Sequence, residues 1–193
     1  SGTYESPIAT AIQLGRIEVL KRIGDNGDIN WNTRIQTKTS GSRRGRRSWT
    51  TPLLLAAVSG NLEVVKLLFK KEGVDLNSKD SSSRTPLWLA TEKEQLEIVK
   101  LFLGKEGVDV DSKDSIGRTA LSWATGNGYL EITKLFLEKE GVDIDSKDPY
   151  GRTPLSWASG NGHFEVTKLL VEKGGVEVGS NDFNSRLPLS WAA

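Results

Sequence analysis

The chain has 193 residues, 36% of them hydrophobic, and its 26 basic and 25 acidic side chains give a formal net charge of +1. Because it contains no Cys, disulfides, thiolate nucleophiles and zinc–thiolate sites are excluded. No run approaches the roughly 18 consecutive apolar residues of a membrane helix, so we expect a soluble intracellular protein, cytoplasmic or nuclear.

The first predicted element is a pair of helices over about residues 6–24. Ala11, Gly15 and Leu20 lie there in the frame that the rest of the chain repeats. Thr10 and Arg16 make this pair more polar than its successors. Such polarity suits a terminal unit that has one face in water.

An insertion follows between Trp31 and Trp49. The step from Pro7 to Pro52 is 45 residues, whereas later equivalent positions are 34 residues apart. The insertion carries six positive charges and no acidic residue, and these charges are Arg34, Lys38, Arg43, Arg44, Arg46 and Arg47. The rest of the chain is net acidic, so positive charge is segregated in this basic finger, residues 34–47.

Three interpretations of the basic finger stay open. It is a solvated loop without a partner, it docks on an anionic protein surface, or it binds nucleic acid or phosphoinositide. Trp31 and Trp49 are expected to pair across the base of a hairpin. Such a hairpin would present the residues predicted to contact an anionic partner, which are Arg43, Arg44, Arg46 and Arg47.

From Thr51 onward the sequence repeats every 34 residues. Thr85, Thr119 and Thr153 keep this spacing, and Leu187 occupies the equivalent position in the next repeat. Such a period is typical of stacked units that cannot each enclose a core alone. The predicted units are 6–50 (with the insertion at 31–49), 51–84, 85–118, 119–152, 153–186 and a partial one at 187–193.

Each unit is predicted to fold as a helix, a tight turn and a second helix. In the unit that starts at Thr153, this residue is an N-cap and Pro154 is the first helical residue. Residues 160–162, Gly-Asn-Gly, end that helix. Apolar spacing then predicts a second helix with Phe164, Thr167, Leu170 and Val171 on one face. Trp123 and Trp157 are predicted to be core residues of the first helices.

The unit pattern D..G.TPL..A...GH..V..LL resembles the ankyrin repeat. Its residues are Asp148, Gly151, Thr153, Pro154, Leu155, Ala158, Gly162, His163, Val166, Leu169 and Leu170. Ser122, Ser156 and Ser190 depart from the family, which usually has His there. The segment GRTPLSWA is similar to segments in the repeat arrays of large fungal multidomain proteins, including NACHT-type signalling ATPases.

The resemblance implies an all-α solenoid of helix-turn-helix units joined by β-hairpin-like turns, with residues 1–193 as a single ankyrin-repeat domain. The chain has no Met, and it ends at 191–193 inside a predicted first helix. We therefore expect a fragment of a larger signalling protein.

The resemblance also places recognition at the turn tips and at the ends of the first helices, which line a concave groove. The partner-binding residues predicted on this basis are Ser82, Arg84, Glu92, Lys93, Ile116, Arg118, Tyr150, Arg152, Phe183 and Arg186. Arg and aromatic side chains are enriched among the energetic anchors of interfaces. An alternative stays open for the arginines, which would instead pair with Asp80, Asp114, Asp148 and Asp182.

Catalysis is not predicted. His163 is the single histidine, and no phosphate-cradling glycine loop with its lysine is present, so neither a triad nor a P-loop can be assembled. The leading hypothesis is a non-catalytic module, without cofactor or metal, that binds a protein or peptide. The alternatives are binding of nucleic acid or an anionic surface through the basic finger, and self-association, although a monomer is favoured.

Overall fold

Paired short helices are the main elements of the structure, a computed structural model that describes residues 6–25, 29–38, 47–173 and 176–179. In these ranges the elements are α1 (Pro7–Gln13), α2 (Ile17–Asp25), β1 (Ile35–Lys38), β2 (Arg47–Thr50), α3 (Pro52–Ser59), α4 (Leu62–Leu68), α5 (Pro86–Glu92), α6 (Leu96–Leu103), α7 (Ala120–Gly126), α8 (Leu130–Glu138), α9 (Pro154–Gly160) and α10 (Phe164–Glu172). The predicted all-α class built from helix-turn-helix units is confirmed.

Threonine caps fix where the first helix of each repeat begins. The hydroxyls of Thr51, Thr119 and Thr153 accept hydrogen bonds from backbone N–H groups three residues later, at 3.1 to 3.3 Å. Such a cap satisfies one of the donors that a helix N-terminus leaves without a partner. Pro52 and Pro154 follow as first helical residues, where a missing N–H costs nothing.

The structure divides into two compact parts, with the division between Ala90 and Thr91, inside α5. In the N-terminal part, α1 packs against α2 and α3, while α4 packs against α2 and α3. Ile12, Leu20 and Leu68 are fully buried there. In the C-terminal part, α8 packs against α6, α7 and α10, and α9 packs against α7 and α10. That a single domain covers the whole chain stays a prediction.

The predicted hairpin exists, but its two tryptophans do not pair. Strands β1 and β2 are antiparallel, and their register places Trp49 opposite Gln36. Trp31 precedes β1 by four residues, lies in a turn and is buried. Its ring lies close to Gly24, where an added Cβ would stand 3.1 Å from Trp31 Cζ2. The expectation of a tryptophan pair at the base was wrong because Trp31 lies outside the ladder.

The turn between α5 and α6 holds a non-glycine residue in the left-handed region. Glu94 has φ 54°, whereas Gly128 and Gly162 occupy the equivalent positions with φ 76° and 75°. A side chain in this conformation costs about 1 to 3 kcal/mol. This repeat therefore carries backbone strain that its C-terminal neighbours avoid.

Candidate partner-binding surface

A carboxylate shapes the turns that precede α5, α7 and α9, and it is buried in the last two. Asp148 Oδ1 accepts hydrogen bonds from the backbone N–H groups of Tyr150 and Arg152 at 2.8 and 3.0 Å. Its Oδ2 accepts from Arg152 Nε at 2.9 Å. Only 1% of the Asp148 side chain is exposed. The buried carboxylate therefore fixes the backbone of the turn, while Tyr150 at its tip is 65% exposed.

The same network recurs one repeat earlier, at Asp114. Its Oδ1 accepts from the backbone N–H groups of Ile116 and Arg118 at 3.0 and 2.9 Å. Its Oδ2 accepts from Arg118 Nε at 3.1 Å and from Nη2 at 2.9 Å. Ile116 at this tip is 52% exposed. Two tips in the C-terminal part thus present apolar side chains on fixed backbone.

In the N-terminal part Asp80 makes the corresponding contacts, to the backbone of Ser82 and Arg84 and to Arg84 Nε at 2.8 Å. Of the two interpretations of the arginine ladder, pairing with aspartate is therefore the one found at all three described turns. An arginine that is already paired with an aspartate contributes less free energy to the binding of a partner, because its charge is already compensated.

Each of these arginines also lies over an aromatic ring. The Cζ atom of Arg118 is 4.5 Å from the centroid of the Trp123 ring. Arg152 Cζ lies 3.8 Å from the Trp157 centroid and 5.1 Å from that of Tyr150. A guanidinium over an indole face gains cation–π energy. The stack of Trp157, Arg152 and Tyr150 supports the exposed tyrosine.

Trp123 and Trp157 are partly buried rather than core residues, which corrects the prediction for them. They line a shallow cavity of about 150 Å³ together with Arg118, Ser122, Gly126, Asn127 and Asn161. Trp157 Nε1 is buried and has no hydrogen-bond partner in the described parts of the chain. The sequence did not lead us to expect these indoles at the surface. The signal that could have indicated it is that each follows a serine that departs from the family pattern.

Two asparagines fix the wall of this cavity. Asn161 Nδ2 donates to the carbonyl of Gly126 at 2.6 Å. Asn127 Nδ2 donates to the carbonyl of Trp123 at 2.8 Å. His163 Nε2 lies 3.0 Å from the same Gly126 oxygen, so the single histidine has a structural role. The end of α7 is thereby tied to the turn after α9.

The other predicted site residues contribute less. Lys93 forms an ion pair with Glu92 at 3.6 Å, and Ser82 is half-buried in its turn. Phe183, Arg186, Arg43, Arg44 and Arg46 lie outside the described residues. Arg47 is in β2, and its side chain is not among those described.

Half-buried aspartates also join consecutive turns. The carboxylate of Asp111 accepts from the backbone N–H of Asp143 at 3.2 Å, and that of Asp145 accepts from Glu177 N–H at 3.1 Å. Burial raises the pKa of Asp111 and of Asp145, against the opposing effect of these hydrogen bonds.

Among the described residues, no group of three or more His, Asp or Glu side chains could hold a metal ion.

Stacked helix pairs with exposed turn tips define a class of protein, the helical-repeat binding modules. The family model of ankyrin repeats (3 copies) matches residues 9–114 and 98–182. The chain belongs to the ankyrin repeat family, whose members are general protein–protein interaction modules and are typically non-catalytic.

A search of curated proteins found no match. The likeness to fungal NACHT-type arrays stays a prediction. No helix in the described ranges has the length and apolarity needed to cross a membrane.

Proposed function

We propose that this chain is a non-catalytic module that recognises a protein or peptide through the tips and the indole cavity of its C-terminal part. The observation that carries the proposal is Tyr150, which is 65% exposed although its backbone is fixed by the buried Asp148. An aromatic side chain that is both exposed and ordered loses little conformational entropy when a partner covers it.

The chemistry of the surface favours an apolar and largely uncharged segment as its occupant. Arg118 and Arg152 are neutralised by their aspartates, so neither offers an uncompensated charge. Ile116 and Tyr150 supply apolar area at the tips, and Trp123 and Trp157 supply it in the cavity. Aromatic residues of this kind are enriched among interface anchors.

The test starts from peptides selected by display against the intact chain. Affinities of the selected peptides are then measured for Ile116→Ala and Tyr150→Ala. A truncated anchor costs about 1 to 2 kcal/mol or more, so we expect each variant to bind roughly tenfold more weakly. Melting temperatures should stay unchanged because both side chains are exposed.

Val171→Ala is the matched control, because it truncates an apolar residue of α10 that is 44% exposed and is not part of the proposed surface. This control should bind selected peptides as the wild type does. Selection that yields no binder, or binders indifferent to both tip variants, would show that the surface has no recognition role.

A further inference from the structure

A second cavity lies beside the hairpin in the N-terminal part. Its volume is about 120 Å³, and it is lined by Arg34, Trp49, Thr50, Thr51, Lys79, Asp80 and Ser81. All of these residues belong to the described ranges. Pockets that enclose drug-sized ligands measure roughly 300 to 1,000 Å³. This one admits only a small group, and the rest of a ligand would lie on its rim.

The cavity has a positive wall. Arg34 and Lys79 are both exposed, and neither has an ion pair within the described part of the chain. Asp80 is the only acidic residue in the lining, and Arg84 already occupies its Oδ2 while two backbone N–H groups occupy its Oδ1. The two cations are therefore left to act on an anion from solution.

The rim of the cavity offers a flat aromatic face. Trp49 is 49% exposed in β2, whereas Trp88 in the same part of the chain is 1% exposed. Thr51 is not available as a ligand hydroxyl, because it caps α3 and lies 3.0 Å from Ser78 Oγ. Ser81 is exposed and adds a hydroxyl beside Lys79. An exposed indole, two uncompensated cations and a hydroxyl thus meet at one small cavity.

We infer that this cavity binds a nucleotide, with the phosphate between Arg34 and Lys79 and the base stacked on Trp49. Cations that track phosphate, next to aromatic rings that stack bases, are the general means by which proteins hold unpaired nucleotides. An acidic peptide or a bare phosphate would use the two cations and leave the indole without a role. The inference concerns a different surface from the proposed function and does not rest on it.

The ligand can be a free nucleotide or one unit of a single-stranded nucleic acid, because the recognised chemistry is the same. The test measures binding of a fluorescein-labelled oligothymidylate to the full chain by anisotropy, over a series of salt concentrations. Unlabelled AMP and inorganic phosphate serve as competitors. Competition by AMP at the same nucleotide concentration indicates a free nucleotide as sufficient ligand, and weaker competition by AMP than by unlabelled oligothymidylate indicates nucleic acid.

Variants of the cavity separate stacking from charge. Trp49→Ala should weaken binding roughly tenfold, and Trp49→Phe should restore part of the loss, because phenylalanine keeps a stacking face. The double variant Arg34→Ser with Lys79→Ser should lower the slope of log affinity against log salt by about 0.7, because the two cations share one phosphate of a single strand. Because the three side chains are exposed, these variants should melt as the wild type does.

Lys147→Ser is the matched control. Lys147 occupies in its own repeat the position that Lys79 occupies, 68 residues earlier, and it is equally exposed, but no hairpin precedes it. It should change neither affinity nor salt slope. The inference is overturned by absent binding at low salt, by unchanged affinity in the cavity variants, by inorganic phosphate competing as well as unlabelled oligothymidylate, or by equal binding of a phosphopeptide of matched charge.

Discussion

Replacement of Asp148 by alanine tests whether a single carboxylate organises the candidate surface. In the wild type this side chain accepts two backbone hydrogen bonds and pairs with Arg152. Asp148→Ala removes both acceptor oxygens and with them all three hydrogen bonds. Asp148→Asn keeps an oxygen for the two backbone N–H groups and replaces the oxygen that accepts from Arg152 with an NH2 group, so it removes the ion pair.

The expected loss of folding free energy follows from how far Asp148 and Arg152 are buried. Breaking a buried ion pair costs about 3 to 5 kcal/mol. The Arg152 side chain is 28% exposed, so water replaces part of what it loses and the cost falls to roughly 2 kcal/mol. The loss of two hydrogen bonds to a carboxylate adds about 1 kcal/mol, because donors at a turn can bond to water. We expect about 3 kcal/mol for Asp148→Ala and about 2 kcal/mol for Asp148→Asn, which loses the ion pair.

Urea unfolding followed by circular dichroism gives the global effect, and amide hydrogen exchange gives the local one. The N–H groups of Tyr150 and Arg152 should lose protection in Asp148→Ala and keep part of it in Asp148→Asn. Lys147→Ala, an exposed truncation in the same turn, should alter neither measurement. A loss below about 1 kcal/mol with both amides still protected would falsify the idea that the carboxylate fixes the tip.

Three further predictions concern stability and are checked by the same urea assay. Glu94→Gly should stabilise the chain by about 1 kcal/mol, because it relieves the left-handed strain at φ 54°, whereas Glu94→Ala should not. Gly128→Ala should cost more than Gly162→Ala, since the two share a positive φ but only the Cβ at 128 meets the His163 ring, at 2.6 Å from Nδ1; equal losses would contradict this. Asp145→Asn should stabilise at neutral pH by under about 1 kcal/mol and lose that advantage in acid.

The sign of the Asp145 effect follows from its surroundings. Burial raises its pKa above the ordinary value of 3.8; the hydrogen bond from Glu177 N–H opposes the rise, the charges of Glu177 and Asp143 add to it, and the charge of Lys147 opposes it. The folded state therefore holds the proton more tightly than the unfolded chain does, and stability falls as pH rises through the folded pKa. Asparagine removes that loss and keeps the acceptor. Asn32 makes the equivalent bond, from Asp75 N–H at 2.8 Å. A flat difference between variant and wild type across the acid range would refute this.

The helix starts were predictable because their signal is local. Thr153 and Pro154 carry a cap and a first helical residue within two positions, and the structure has both. The sequence alone left two roles open for Arg152. It is close enough to Asp148 in the chain to pair with it, and it also lies at a turn that a partner could reach. Only the folded turn decides between the two, by bringing Oδ2 to 2.9 Å from Nε.

The residues that depart from the expected family pattern lie at the starts of α7 and α9, beside the indole cavity. Ser122 and Ser156 replace the usual histidine, and their hydroxyls lie 3.0 and 3.2 Å from those of the capping Thr119 and Thr153. The serines thereby keep the helix start polar and buried. The indoles one residue later then lie under Arg118 and Arg152 and line the cavity. The two indoles thus form an aromatic floor on the side of the repeat that we propose meets a partner.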